Sequence, residues 1–275
     1  MREEVIKKIL IAVTALVLLL YALGPFTWML IISFVENPDF LVTGTARFTF
    51  QNYVNVVTLE QLHFIDYLKN SLIVSGVAAV GITIITSFAG YAISRLSFPG
   101  RVIIPLAVLA MSMFPQISIV GYLYRFFTSL GLLNTYTALI FPYIAWVAPI
   151  ALWINISYFQ QIPNDLDRAA LVDGAKRTKT LFRIILPLAL PGIFSSFLIA
   201  FIQCFNEFLF ALMLTIDYDA QTLPVGVALF QGIHGEIPWG NLMAASALAA
   251  VPLVIIALVF QRFIVQGLMG GALKG

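Results

Sequence analysis

Six stretches of more than 20 residues run without an Asp, Glu, Lys or Arg side chain: 9–35, 70–94, 102–124, 126–164, 184–206 and 237–261. A helix rises about 1.5 Å per residue and a bilayer core is about 30 Å thick, so about 20 apolar residues make one crossing. The interval 126–164 is longer, but Gly131, Asn134 and Thr135 mark a loop before an apolar run at 136–156. The fifth interval is prolonged beyond Glu207 by Phe208–Leu214. The reading is an all-α polytopic membrane protein with six transmembrane helices, roughly 9–33, 71–94, 102–122, 136–156, 184–213 and 241–261. Composition agrees: 61% of residues are hydrophobic, 10% are charged and the mean hydropathy is +0.98. A soluble chain of 275 residues could not cover its surface with so few polar groups.

The basic side chains fix a sidedness. With a cytoplasmic N-terminus, Arg2, Lys7, Lys8, Arg95, Arg101, Arg168, Lys176, Arg177, Lys179, Arg183, Arg262 and Lys274 fall inside, and only Arg47, Lys69 and Arg125 fall outside. Both termini are then expected in the cytoplasm. The first span is too long for a signal-peptide core, and Ser33-Phe34-Val35-Glu36 is no small-residue cleavage site, so it is expected to remain as an anchor. The stretch Glu36–Asn70, with Pro38, Gly44, Phe48, Phe50 and Tyr53, reads as a partly structured external cap. The expected organisation is therefore an anchor helix with its external segment over 1–70, then a five-helix core over 71–275 that carries a cytoplasmic loop at 161–187.

Pairs of small residues four apart, Ser75 with Ala79, Thr86 with Gly90 and Ser246 with Ala250, allow helices to approach closely within lipid. A single cysteine, Cys204, and two distant histidines, His63 and His234, give no disulfide framework and no metal site. No basic block points to nucleic acid, and no bound cofactor is expected.

The loop 161–187 is more than a connection. Pro163 with Asn164 or Asp165 suits a helix start, where a polar side chain takes up free first-turn amides. Leu166, Ala169, Ala170 and Ala175 give this short helix a small apolar side, and Asp173-Gly174 supplies a turn before a second helix leads into the membrane. A lipid-lying helix gains most from large apolar groups; alanines suit a shallow groove on another protein better.

The segment Arg168-Ala-Ala-Leu-Val-Asp-Gly-Ala175, followed by Ile184-Ile-Leu-Pro-Leu-Ala-Leu-Pro191, resembles the EAA loop of permease subunits of binding-protein-dependent ABC importers. Further pieces are similar to the sugar-importing branch related to the maltose permeases. They are Asn70-Ser-Leu-Ile, Ala89-Gly-Tyr-Ala-Ile-Ser-Arg95, Phe98-Pro-Gly-Arg101, Gly131-Leu-Leu-Asn-Thr-Tyr136, Asn206-Glu-Phe-Leu-Phe-Ala211, Thr222-Leu-Pro-Val-Gly226 and Gly270-Gly-Ala-Leu-Lys-Gly275. The likeness runs in family order from about residue 50 to the end. It implies the type I ABC importer permease fold in a prokaryotic inner membrane. It also implies a second related permease subunit, two ATPase subunits that hold ATP and Mg, and an extracytoplasmic solute-binding protein. Asp167, Arg168, Ala169, Ala170, Asp173, Gly174 and Ala175 would then dock on an ATPase. The family's glutamate before the two alanines is Arg168 here, and Asp167 beside it is expected to retain part of the local acidity. No Gly-x-x-x-x-Gly-Lys-Ser/Thr loop occurs, so ATP hydrolysis is expected of a partner and this chain is expected to be non-catalytic.

Gln203, Asn206 and Glu207 form a polar set inside the fifth span, with Gln203 and Glu207 on one helical face. Facing lipid would be costly, so the set faces protein or water. A structural anchor is favoured over a lining of the translocation path. A proton relay ranks last, because no second intramembrane carboxylate or histidine continues it. Gly267, Gly270, Gly271 and Gly275 read as a flexible, frayed tail, while the resemblance implies that Gly270, Gly271, Leu273 and Lys274 contact the ATPase. The resemblance favours a disaccharide or short oligosaccharide such as maltose or trehalose as cargo. Glycerol phosphate, a polyol or another solute, and an ion-coupled secondary transporter, remain as alternatives.

Overall fold

The computed structural model describes residues 2–36, 47–230 and 238–272. Pro38, Gly44, His234, Leu273 and Lys274 lie outside them. The described chain is helical, with one isolated antiparallel bridge between Val35 and Phe48. Its helices are α1 (Arg2–Ser33), α2 (Gln51–Thr58), α3 (Phe64–Arg95), α4 (Ile103–Ser112), α5 (Gln116–Ser129) and α6 (Tyr136–Gln161). Then come α7 (Asp165–Val172), α8 (Arg177–Thr180), a π-helical turn (Leu181–Ile185), α9 (Leu186–Phe205), α10 (Leu209–Leu214), α11 (Leu223–Ala228) and α12 (Trp239–Ala272). Five helical stretches are long and apolar enough to cross a membrane, and the pair α4–α5 makes a sixth span if counted as one.

Two expected spans are interrupted. In place of one helix over 102–122, α4 and α5 meet at 86°. Pro115 explains the break: it has no N–H to donate, its backbone is extended (φ −64, ψ 130), and its ring disfavours helix in the residue before it. In place of one helix over 184–213, α9 ends at Phe205 and α10 begins at Leu209. Glu207 N–H turns back to the Cys204 carbonyl across 3.3 Å, so Glu207 does not continue the helical face of Gln203. At the other end of this span, Pro187 cannot donate a backbone hydrogen bond to the Arg183 carbonyl, and the π-helical turn sits directly before it. The tail also differs from expectation, because α12 carries Gly267, Gly270 and Gly271 in helix to Ala272.

The chain divides into two compact units, residues 1–64 with 227–251 and residues 65–226 with 252–275. In the first unit, the chain after the undescribed segment returns to the end of α1. Asn52 Nδ2 donates to the carbonyls of Ser33 (2.9 Å) and Val35 (2.8 Å), and the Ser33 and Tyr53 hydroxyls are 2.7 Å apart. A Cβ at Gly240 would stand 2.5 Å from the Asn52 amide, so this close approach requires glycine.

The second unit is built on α3, α6 and α9. Asn155, fully buried in α6, donates to Thr86 Oγ1 across 2.9 Å, and Gly90 lies one turn further along α3 against the same side chain. The small residues Thr86 and Gly90 thus allow α3 and α6 to close on a polar contact, which is worth making where lipid offers no alternative partner. Gly192 does the same for α9, since any Cβ there would fall 2.1 Å from the Tyr158 ring.

At the opposite end from loop 161–187, three of the quoted motifs meet. Asn70 Nδ2 donates to the carbonyls of Tyr218 (2.8 Å) and Gln221 (2.9 Å), and Asn70 Oδ1 accepts from the Tyr136 hydroxyl (2.6 Å). Leu223 N–H donates to Ser71 Oγ across 2.7 Å. Asn134, in the left-handed region at φ 57, donates to Asp217 (2.7 Å) and accepts from Ile216 N–H (2.8 Å). These side chains pair the backbone of segment 214–223, which has few backbone partners of its own. Replacing Asn70 by Ala leaves two carbonyls and the Tyr136 hydroxyl unpaired. The expected loss is about 1–3 kcal/mol of stability, read as a lower melting temperature of the purified protein; an unchanged melting temperature contradicts this role.

Candidate functional site

The loop 161–187 folds as a helix, a turn and a second helix. Asp165 and Asp167 stand in the first turn of α7, where negative charge complements the free amides. The helix ends on Gly174 at φ +75. Gly174 N–H donates to Leu171 O (3.1 Å) and Ala175 N–H to Ala170 O (2.9 Å), the paired 5→2 and 6→1 bonds of a glycine-terminated helix. The helix starts where expected, at Asp165 after Asn164, but Asn164 makes no capping bond through its side chain. Its side-chain carbonyl instead accepts from Arg95 Nη1.

Arg95, the last residue of α3, organises this end of the unit. Its side chain is 3% exposed. Nη2 donates to the carbonyls of Phe159 (2.7 Å) and Ile162 (2.5 Å), and Nη1 also stands 3.2 Å from Asp167 Oδ2. One guanidinium thus satisfies carbonyls at the C-terminal end of α6 and holds the first turn of α7. Beneath it lies an apolar cluster of Tyr91, Phe159, Leu181, Ile185 and Ala189, joining α3, α6, the π-helical turn and α9. The loop is therefore fastened to three long helices.

The seven loop residues divide between two faces. Ala170 is buried, Ala175 half-buried and Asp167 turned inward to Arg95. Arg168, Ala169, Asp173 and Gly174 are exposed, and Val172 is 87% exposed. The acidity of Asp167 is thus neutralised within the chain rather than offered outward. Arg168 makes only a surface pair with Asp165 at 3.5 Å, which is worth little in water. Arg95 enters the sequence reading as a cytoplasmic basic side chain and as the end of the motif Ala89–Arg95, not as a hub. Its partners lie 64 to 72 residues later, so no local pattern could have revealed them.

The polar set of the fifth span does not act as one face. Glu207 is 8% exposed, and its carboxylate accepts from the amides of Phe210 (2.8 Å) and Ala211 (3.2 Å), which caps α10. Asn206 is exposed and donates to Ile202 O (2.9 Å), while Gln203 is half-buried. Among the described residues, no group of three or more His, Cys, Asp or Glu side chains could hold a metal ion, and Cys204 is a buried free thiol. Gly270 and Gly271 fall in the last turn of α12.

Residues 83–270 match the family model described as binding-protein-dependent transport system inner membrane component. The chain is 54% identical, over all of both sequences, to the trehalose/maltose transport system permease protein MalG of Thermococcus litoralis. It is 35% identical, over 93% of each sequence, to the trehalose transport system permease protein SugB of Mycobacterium tuberculosis. Its fold is similar to a chain in the crystal structure of a bacterial ABC transporter involved in alginate import, with a TM-score of 0.76 at 19% identity, covering 95% of this chain and 98% of that one. By this family match and by its full-length relatives, the chain belongs to the inner-membrane components of binding-protein-dependent transport systems.

Proposed function

We propose that this chain is the translocation subunit of an ATP-driven importer for a disaccharide or short oligosaccharide of the maltose or trehalose type. The full-length likeness to a trehalose/maltose permease supports the cargo class. The observation that carries the coupling role is the construction of the loop: a short helix with Arg168, Ala169 and Val172 exposed, and Asp167 tied inward to a buried guanidinium. Such a helix is presented to a partner and mechanically joined to the bundle.

In this reading the chain works beside a second permease subunit and beneath an extracytoplasmic binding protein. Two ATPase subunits on the cytoplasmic side hold ATP and Mg, and this chain hydrolyses nothing itself. Both termini lie in the cytoplasm, residues 1–70 serve as anchor and cap, and 71–275 as the permease core. Closure of the ATPase pair displaces α7. Arg95 passes that displacement to α3 and to the end of α6, while α8 and the π-helical turn pass it to α9. Glu207 serves as the structural anchor of α10 rather than as a sugar ligand. The tail around Gly270 and Gly271 adds a second contact with the ATPase.

Reconstitution with the partner subunits and a panel of loaded binding proteins tests the assignment. Maltose- or trehalose-loaded protein should stimulate both ATPase activity and import; import by this chain without an ATPase would overturn it. Arg95→Met should keep assembly and ATPase activity while lowering sugar imported per ATP by about tenfold, with Arg95→Lys recovering part of the loss. An unchanged import-to-ATPase ratio in Arg95→Met would refute the strut. Glu207→Ala should lower the melting temperature and assembly of the complex by the equivalent of about 1–3 kcal/mol. Normal assembly with lost import would instead place Glu207 on the sugar path.

A further inference from the structure

Behind the loop, between α7, α8 and the end of α3, lies a cavity of about 260 Å³. Four arginines, Arg95, Arg101, Arg168 and Arg177, are among its lining residues, with one acidic residue, Asp167. That carboxylate is already engaged by Arg95 at 3.2 Å. Arg95 forms a fixed wall: its side chain is 3% exposed, its two terminal nitrogens are held by protein acceptors, and its buried Nε has none. Arg101 and Arg177 are exposed at the mouth and make no ion pair among the described residues, and Arg168 has only the 3.5 Å surface contact with Asp165. Gathering guanidinium groups around one hollow raises its potential, and an anion entering it gains from all of them at once.

We propose that this cavity is a binding site for a phosphate group, carried either by an anionic lipid headgroup or by a free phosphate. The choice of phosphate follows from geometry. A carboxylate offers two oxygens, which the parallel N–H groups of one guanidinium can match. A phosphate presents more oxygens around a tetrahedral centre and takes N–H pairs from several forked guanidinium groups together. The volume admits a headgroup rather than only a bare ion. A basic pocket between helix ends at a membrane surface is also where lipid headgroups collect. The site makes no use of the sugar path and does not depend on the cargo.

The test uses the assembled complex, delipidated in detergent, and the variant pair R101Q/R177Q, both positions being exposed. Equilibrium dialysis of labelled inorganic phosphate measures the free anion. Native mass spectrometry after nanodiscs of phosphatidylcholine, with or without phosphatidylglycerol, measures the lipid. One phosphate or one phosphatidylglycerol per copy of this chain is expected, with a dissociation constant raised about tenfold or more by R101Q/R177Q. Phosphatidylglycerol bound without inorganic phosphate identifies a headgroup site, and binding of both identifies a site open to the free anion. R101K/R177K should bind at an intermediate level, because charge is kept and the fork is lost, and it serves as the readout if the glutamine pair does not assemble. Binding of neither probe, or binding unaltered in both variant pairs, overturns the proposal. Binding to the permease pair alone that is absent from the assembled complex also overturns it, and assigns the arginines to carboxylates of the ATPase partner.

Discussion

A guanidinium buried where one helix ends, another ends and a third begins is the interaction on which the loop 161–187 depends. Removing a charge from water is costly, and Arg95 accepts that cost because three hydrogen-bond acceptors and one carboxylate, four partners in all, surround it. Two of them are carbonyls at the end of α6, which no helix can satisfy for itself. The other two, Asn164 and Asp167, belong to the short helix of the loop. The loop is thus held by charge-assisted hydrogen bonds above an apolar cluster, while its outward face keeps Arg168, Ala169 and Val172 free of the bundle. A rigid inward attachment and an open outward face are what a mechanical connection between two proteins requires.

Lipid explains much of the remaining structure. With no water in the bilayer core, backbone that leaves the helix must find partners nearby. Asn70 and Asn134 provide them for the segment 214–223, and Glu207 provides them for the free first-turn amides of α10. The α4–α5 bend and the α9–α10 break leave short helices where the charge-free intervals predicted continuous ones. Such pieces hold together only because neighbouring helices and polar side chains complete them.

The spans were legible because charge is excluded from hydrocarbon, and the gaps between ionisable residues record that exclusion directly. The helix–turn–helix loop was legible because Gly174 must adopt a left-handed backbone, and glycine after a short helix announces that locally. Counting apolar residues is blind to direction, however, so the 86° bend escaped although Pro115 stood in plain view. The break at Asn206–Phe208 escaped for a different reason. Glu207 looks like one more residue on an apolar helix until the amides it caps are brought to it by the fold. Arg95 was legible as a charge but not as a hub, since its acceptors are supplied by α6 and α7 far along the chain. Asp167, read as acidity available to a partner, is spent inside for the same reason.

The exposed face of α7 offers the most direct measurement. A Val172→Cys protein, with the buried Cys204 replaced by Ser, can be treated with a membrane-impermeant thiol reagent from either side of oriented vesicles. The cysteine should react only from the cytoplasmic side in the permease pair alone, and become protected when the ATPase subunits are bound. Reaction from the opposite side, or labelling that the ATPase subunits leave unchanged, would contradict a loop that joins this permease to its motor.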